Sequence, residues 1–129
     1  QNPPLSEVLF AAQDLSRKSA STAGGLSLPE LPSDPRLSVS RPFAVGLLAH
    51  TVIQTAKQLS GDKPDTGMHL GVNHRNNGIV DLTLSAEGLD PEKGRTVVAT
   101  LAERLDDESE VSISSDDQNI SLRLPTQTG

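Results

Sequence analysis

The chain has 129 residues, enough for one domain with a sizeable core, since domains cluster at ~100–150 residues. A formal net charge of -6 repels nucleic-acid phosphates and anionic lipid alike, and with two Phe and no Tyr or Trp, platforms for base stacking are nearly absent. Cysteine is absent, which excludes disulfides, thiolate chemistry and Cys-type zinc sites, and no apolar run approaches the ~20 residues that span a bilayer.

In chain order, "LSEVLFAAQDLSRKSA" repeats Leu5, Val8, Leu9, Ala12 and Leu15 at helical spacing, which predicts one amphipathic helix over 5–20. The Gly-, Pro- and Ser-rich stretch that follows predicts a loop holding two weak edge strands, Leu26–Leu28 and Leu37–Val39. From Pro42 the stripe Ala44, Leu48, Val52, Ala56 and Leu59 predicts the most apolar helix, central in the fold, with Gly61 as its stop. Met68, Leu70 and Val72 alternate with polar residues, and the pattern resumes at Val80, Leu82 and Leu84 after Asn76-Asn77-Gly78, which predicts a hairpin. Val97, Val98, Leu101, Ala102 and Leu105 predict a third helix ending in the solvated acidic run Asp106-Asp107-Glu108. Val111, Ile113, Ile120, Leu122 and Leu124 predict a second hairpin.

Helices alternating with adjacent antiparallel strands imply an α+β two-layer sandwich, three helices on one face of a mixed, mostly antiparallel sheet. Residues 1–129 then form a single domain. Because the first residue is Gln1, the sequence is expected to be a fragment of a longer protein, and the lack of cysteine agrees with a cytoplasmic setting.

Four stretches in this order resemble the GHKL-type ATP-binding domain of bacterial sensor histidine kinases, especially the HWE-type subfamily: "LSVSRPFAVGLLAHTVIQTAKQL", "VDLTLSAEGLDP", "KGRTVVATLAERL" and "DDQNISLRLP". The resemblance implies a Bergerat-like sandwich. It departs from the family where ATP is handled. The family's catalytic Glu and magnesium-ligating Asn fall at Thr51 and Thr55, and its adenine-reading Asp falls at Ala86. A hydroxyl carries no charge to offset Mg²⁺ and is no general base near neutral pH. Of the glycines in those boxes Gly88 and Gly94 remain, while Asp90 stands where a second glycine lets backbone approach nucleotide. Glu87 is a displaced candidate for adenine, but one residue of register turns it to the other face.

The resemblance therefore implies a non-ATP-binding, pseudo-kinase domain with no cofactor and no metal, similar to the C-terminal domain of bacterial histidine phosphotransferases. Its implied partner is a response-regulator receiver domain, and an upstream phospho-histidine hairpin is expected to form a homodimer. Nucleic-acid and membrane partners are not expected. The docking surface is expected near Thr51, Thr55, Ala86, Gly88 and Gly94, with Lys93 and Arg95 adding a basic spot at the start of the third helix. Two other readings remain open, a genuine ATP-binding catalytic domain with divergent boxes and a partner-switching regulator. His50 reads as structural, and His69 and His74, at odd separation on one strand, face opposite sides and share a metal poorly. No catalytic set emerges.

Overall fold

A computed structural model describes residues 2–31, 33–59, 67–75, 78–105 and 111–127. The elements run α1 (Leu5–Leu15), α2 (Arg17–Ser21), β1 (Leu26–Ser27), α3 (Arg41–Leu59), β2 (Met68–Arg75), β3 (Ile79–Ala86), α4 (Pro91–Ala102), β4 (Ser112–Asp116) and β5 (Asn119–Pro125). The five-stranded sheet has the order β1-β2-β3-β5-β4. Only the β1–β2 pair is parallel; β2–β3, β3–β5 and β4–β5 are antiparallel. The expected α+β two-layer sandwich with a mixed, mostly antiparallel sheet is what forms.

Strand alternation sorts the two faces. Met68 and Leu70 on β2, Val80, Leu82, Leu84 and Ala86 on β3, and Ile120, Leu122 and Leu124 on β5 are all buried and meet the helices. Each large aliphatic side chain so buried contributes ~1.5–3 kcal/mol relative to exposure. The opposite face is polar, and Asn73, Asp81, Thr83, Ser112, Ser114, Ser121 and Arg123 line a shallow groove of about 500 Å³ on it. In that groove Arg123 Nε donates to Asp81 Oδ1 at 3.0 Å, across a registered β3–β5 pair.

α3 is central, as expected. Its buried residues include the whole stripe Ala44, Leu48, Val52, Ala56 and Leu59, but also Val45, Leu47, Ala49, Thr51 and Thr55. The extra burial arises because α1 and α4 flank this helix while the sheet lies beneath it. Ser40 starts it, its Oγ accepting from Phe43 N at 3.3 Å.

The first helix is shorter than its pattern suggests. Ser16 is fully buried, and its Oγ donates to Ala12 O at 2.7 Å, competing with the helical ladder where α1 gives way to α2. Leu15, still within α1, is 65% exposed, as is Phe10, while Ser16 takes the buried position after Ala12. Leu15 therefore falls outside the core stripe to which its spacing assigned it. β1 forms at Leu26–Ser27, whereas the second weak strand reduces to isolated bridges, Pro4 with Arg36 and Leu37 with Thr126. Around them Leu37 N donates to Pro3 O at 2.9 Å and Ser38 N to Pro125 O at 2.8 Å. α4 ends at Ala102, which is exposed and not part of the apolar face.

Three expectations fall on undescribed residues: the helix stop at Gly61, the turn residues Asn76 and Asn77, and the acidic run from Asp106. Gly78, next to that turn, has φ 80, the left-handed region that favours glycine. No helix among the described residues is long and apolar enough to cross a membrane.

Candidate functional site

The box positions lie on the C-terminal half of α3 (Thr51, Thr55), the end of β3 (Ala86), the turn that follows it (Gly88, Asp90) and the start of α4 (Gly94). Thr51 and Thr55 are both 0% exposed. Thr51 Oγ1 donates to Leu47 O at 2.7 Å, satisfying itself on its own helix. Thr55 Oγ1 is buried with no hydrogen-bond partner among the described residues. Ala86 closes β3 at 4% exposure. None of the three therefore offers a surface to a ligand.

The two glycines are held by packing. A Cβ on Gly88 would lie 3.1 Å from Leu59 Cδ2, and one on Gly94 would lie 3.1 Å from Ser115 Cβ. Gly88 thus lets the end of α3 close on the β3–α4 turn, and Gly94 lets α4 lie against β4. Glu87, the displaced carboxylate, is exposed in the turn after β3, and its carbonyl accepts from Gln118 Nε2 at 3.0 Å. Residues 87–90 alone join β3 to α4.

Asp90 has a structural task that the box comparison missed. It is the N-cap of α4, with φ -116 and ψ 169, and its Oδ1 accepts from Lys93 N at 2.8 Å. Its carboxylate sits on the N–H groups that were expected to present partial positive charge, and so offsets it. Pro91 follows at the first helical position, so "DPEK" carried the cap signal in the sequence. Lys93 is half-buried and Arg95 exposed, with Glu87, Asp90 and Glu92 also exposed nearby. The surface around the box positions is made by these charged neighbours, not by Thr51, Thr55, Ala86 or Gly94.

The histidines are scattered. His50 is half-buried on α3, its Nε2 3.1 Å from Arg104 Nη1, a pairing across 54 residues that no local pattern signals. His69 lies on the polar face of the sheet opposite Ser85, and His74 has the other parity, opposite Val80. Among the described residues no three of His, Cys, Asp and Glu gather in a metal-binding group.

This α+β sandwich, a mixed five-stranded sheet under a central helix, has a counterpart among solved structures. Among solved structures the chain is similar to the mycobacterial sensor histidine kinase MprB, with a TM-score of 0.65 and 10% identity over 100% of this chain and 99% of that one. That likeness shows the fold. Neither a family model nor a curated protein matches the sequence.

Proposed function

We propose that this histidine-kinase-like domain holds no nucleotide and serves as a docking module in two-component phosphorelay signalling, with a response-regulator receiver domain as partner. The observation that carries the reading is the complete burial of Thr51 and Thr55. A nucleotide and its magnesium would have to be met there, and the helix gives neither charge nor accessible surface. Mg²⁺ keeps near-octahedral oxygen ligation and favours carboxylates and phosphates. Ala86 has no acceptor for an adenine amino group, and the short connection 87–90 leaves no segment to close over ATP. In the intact protein an upstream phospho-histidine hairpin would supply both the homodimer and the phosphoryl group, and the exposed charges at the start of α4 would meet the receiver.

Thermal melts with and without ATP and Mg²⁺ test the nucleotide half of the proposal. The expected result is no shift. A genuine ATP-binding domain at ~100 Kd of ligand gains ~2.7 kcal/mol, and a shift of that size would overturn the reading in favour of a catalytic domain with divergent boxes. Titration against purified receiver domains tests the other half, and saturable binding by none of them would remove the partner.

A further inference from the structure

Away from the box positions, the first turns of α3 and the end of α4 with the residues just after it, to Leu105, leave a cavity of about 250 Å³ between them. Its wall is mostly apolar, with Phe43, Leu47, Leu101 and Leu105, and it carries two polar groups, His50 and Arg104. Arg104 Nη1 lies 3.1 Å from His50 Nε2. A guanidinium can only donate, so His50 accepts through Nε2 and keeps its own proton on Nδ1. Arg104 is exposed, and this contact uses one of its five N–H donors. The imidazole thereby holds a planar cation at the mouth of an apolar pit, with donors left for an anion.

Gly46 supplies an independent observation. It lines the same cavity and lies inside α3, where only proline is a poorer helix former than glycine. A Cβ built on it meets nothing within 4 Å, unlike those on Gly88 and Gly94. Neither backbone conformation nor packing requires glycine here, and a side chain at this position would extend into the open space of the cavity wall. The helix carries a destabilising residue whose local effect is to keep that space clear.

We propose that this cavity is a binding site for a small amphipathic carboxylate, its short aliphatic or aromatic tail between α3 and α4 and its carboxylate in the fork of Arg104. The volume of about 250 Å³ suits a ligand smaller than the drug-sized ones, whose sites run ~300–1,000 Å³. The charge selects among amphiphiles. An apolar wall alone would take an alcohol or an amine equally well, whereas a guanidinium engages carboxylate through two parallel hydrogen bonds and repels an ammonium. His50 is a positioning residue that acts through Arg104. The site lies at the opposite end of α4 from Asp90 and does not depend on the nucleotide reading.

The test is a titration of the ¹⁵N-labelled chain with octanoate, octanol and octylamine, each below its micelle concentration, followed by amide shifts. Octanoate should saturate shifts clustered at Gly46, His50, Leu101 and Arg104, about tenfold more tightly than octanol, a factor suited to one charge-assisted contact. Arg104→Leu should bring octanoate down to the level of octanol. Gly46→Leu, which improves helix propensity and extends into open space, should abolish both. His50→Gln keeps an acceptor for Arg104 and should keep the preference for carboxylate, whereas His50→Leu should lose most of it. Equal affinity for octanol and octanoate, octanoate binding unaltered by Gly46→Leu, or shifts scattered over the whole surface would each overturn the proposal.

Discussion

Thr55→Val replaces a fully buried hydroxyl that lacks a described partner with a methyl group of nearly the same shape. An unsatisfied buried donor or acceptor costs ~1–3 kcal/mol, so the variant should be more stable by about 1 kcal/mol at the low end of that range. Thr51→Val, one turn earlier and equally buried, is the control. It loses the 2.7 Å bond to Leu47 O and should cost about 0.5–1 kcal/mol, since that carbonyl also serves the helical ladder. The pair should therefore move in opposite directions, Thr55→Val raising Tm by about 4 °C at this chain length. With no Trp or Tyr to report by fluorescence, far-UV circular dichroism in urea is the assay, read as a change in midpoint at constant slope. If Thr55→Val destabilises the chain as much as Thr51→Val does, the hydroxyl has a native partner. Position 55 would then hold no unsatisfied group.

Gly94→Ala should gain no stability, because the ~1 kcal/mol of helix propensity it adds is offset by its Cβ pressing on Ser115 Cβ at 3.1 Å; a clear rise in the chemical-denaturation midpoint would refute this. Asp90→Ala should cost ~1 kcal/mol by removing the cap on Lys93 N, visible as a lower melting temperature. Lys93→Glu with Arg95→Glu should weaken receiver binding more at low salt than at high, because an exposed charge such as Arg95 is screened beyond ~8 Å at physiological ionic strength; unchanged affinity at low salt would place the docking face elsewhere, for instance along α1. Thr51→Glu, Thr55→Asn and Ala86→Asp together should give no phosphate release from ATP, since 87–90 still forms no lid and position 51 would now bury a carboxylate.

Much of this architecture was legible because its residues obey one period at a time. The β2, β3 and β5 strands alternate cleanly, so the buried set Met68, Leu70, Val80, Leu82, Leu84, Ile120, Leu122 and Leu124 can be read from spacing alone. The stripe of α3 was equally plain. What escaped depends on contacts between distant residues or on competition within a turn. Ser16, and not Leu15, takes the buried position after Ala12 and bonds to Ala12 O, which no apolar pattern encodes. Thr51 and Thr55 are singled out in the sequence by resemblance, but their complete burial depends on tertiary packing, and only the folded chain shows it. Asp90 was legible in principle through its following proline and was read instead for what it displaced. The His50–Arg104 pair and the open space at Gly46 have no local signature, because one is made across 54 residues and the other is a volume with nothing in it.

The dipeptide Arg36-Leu37 bridges Pro4 on one side and Thr126 on the other, so both ends of the described chain are tied to a single point on the surface. Gln127 N adds a bond to Arg36 O at 2.8 Å and Leu5 N one to Pro35 O at 2.8 Å. Ends that leave a domain side by side make it easy to splice into a host loop or to permute circularly, with a short linker across the old termini and a new opening elsewhere. They also set its response to force. Tension applied through the two ends would load this small cluster of backbone hydrogen bonds together with the 2.8 Å bond from Thr126 N to Gly78 O, which passes the pull straight to the start of β3.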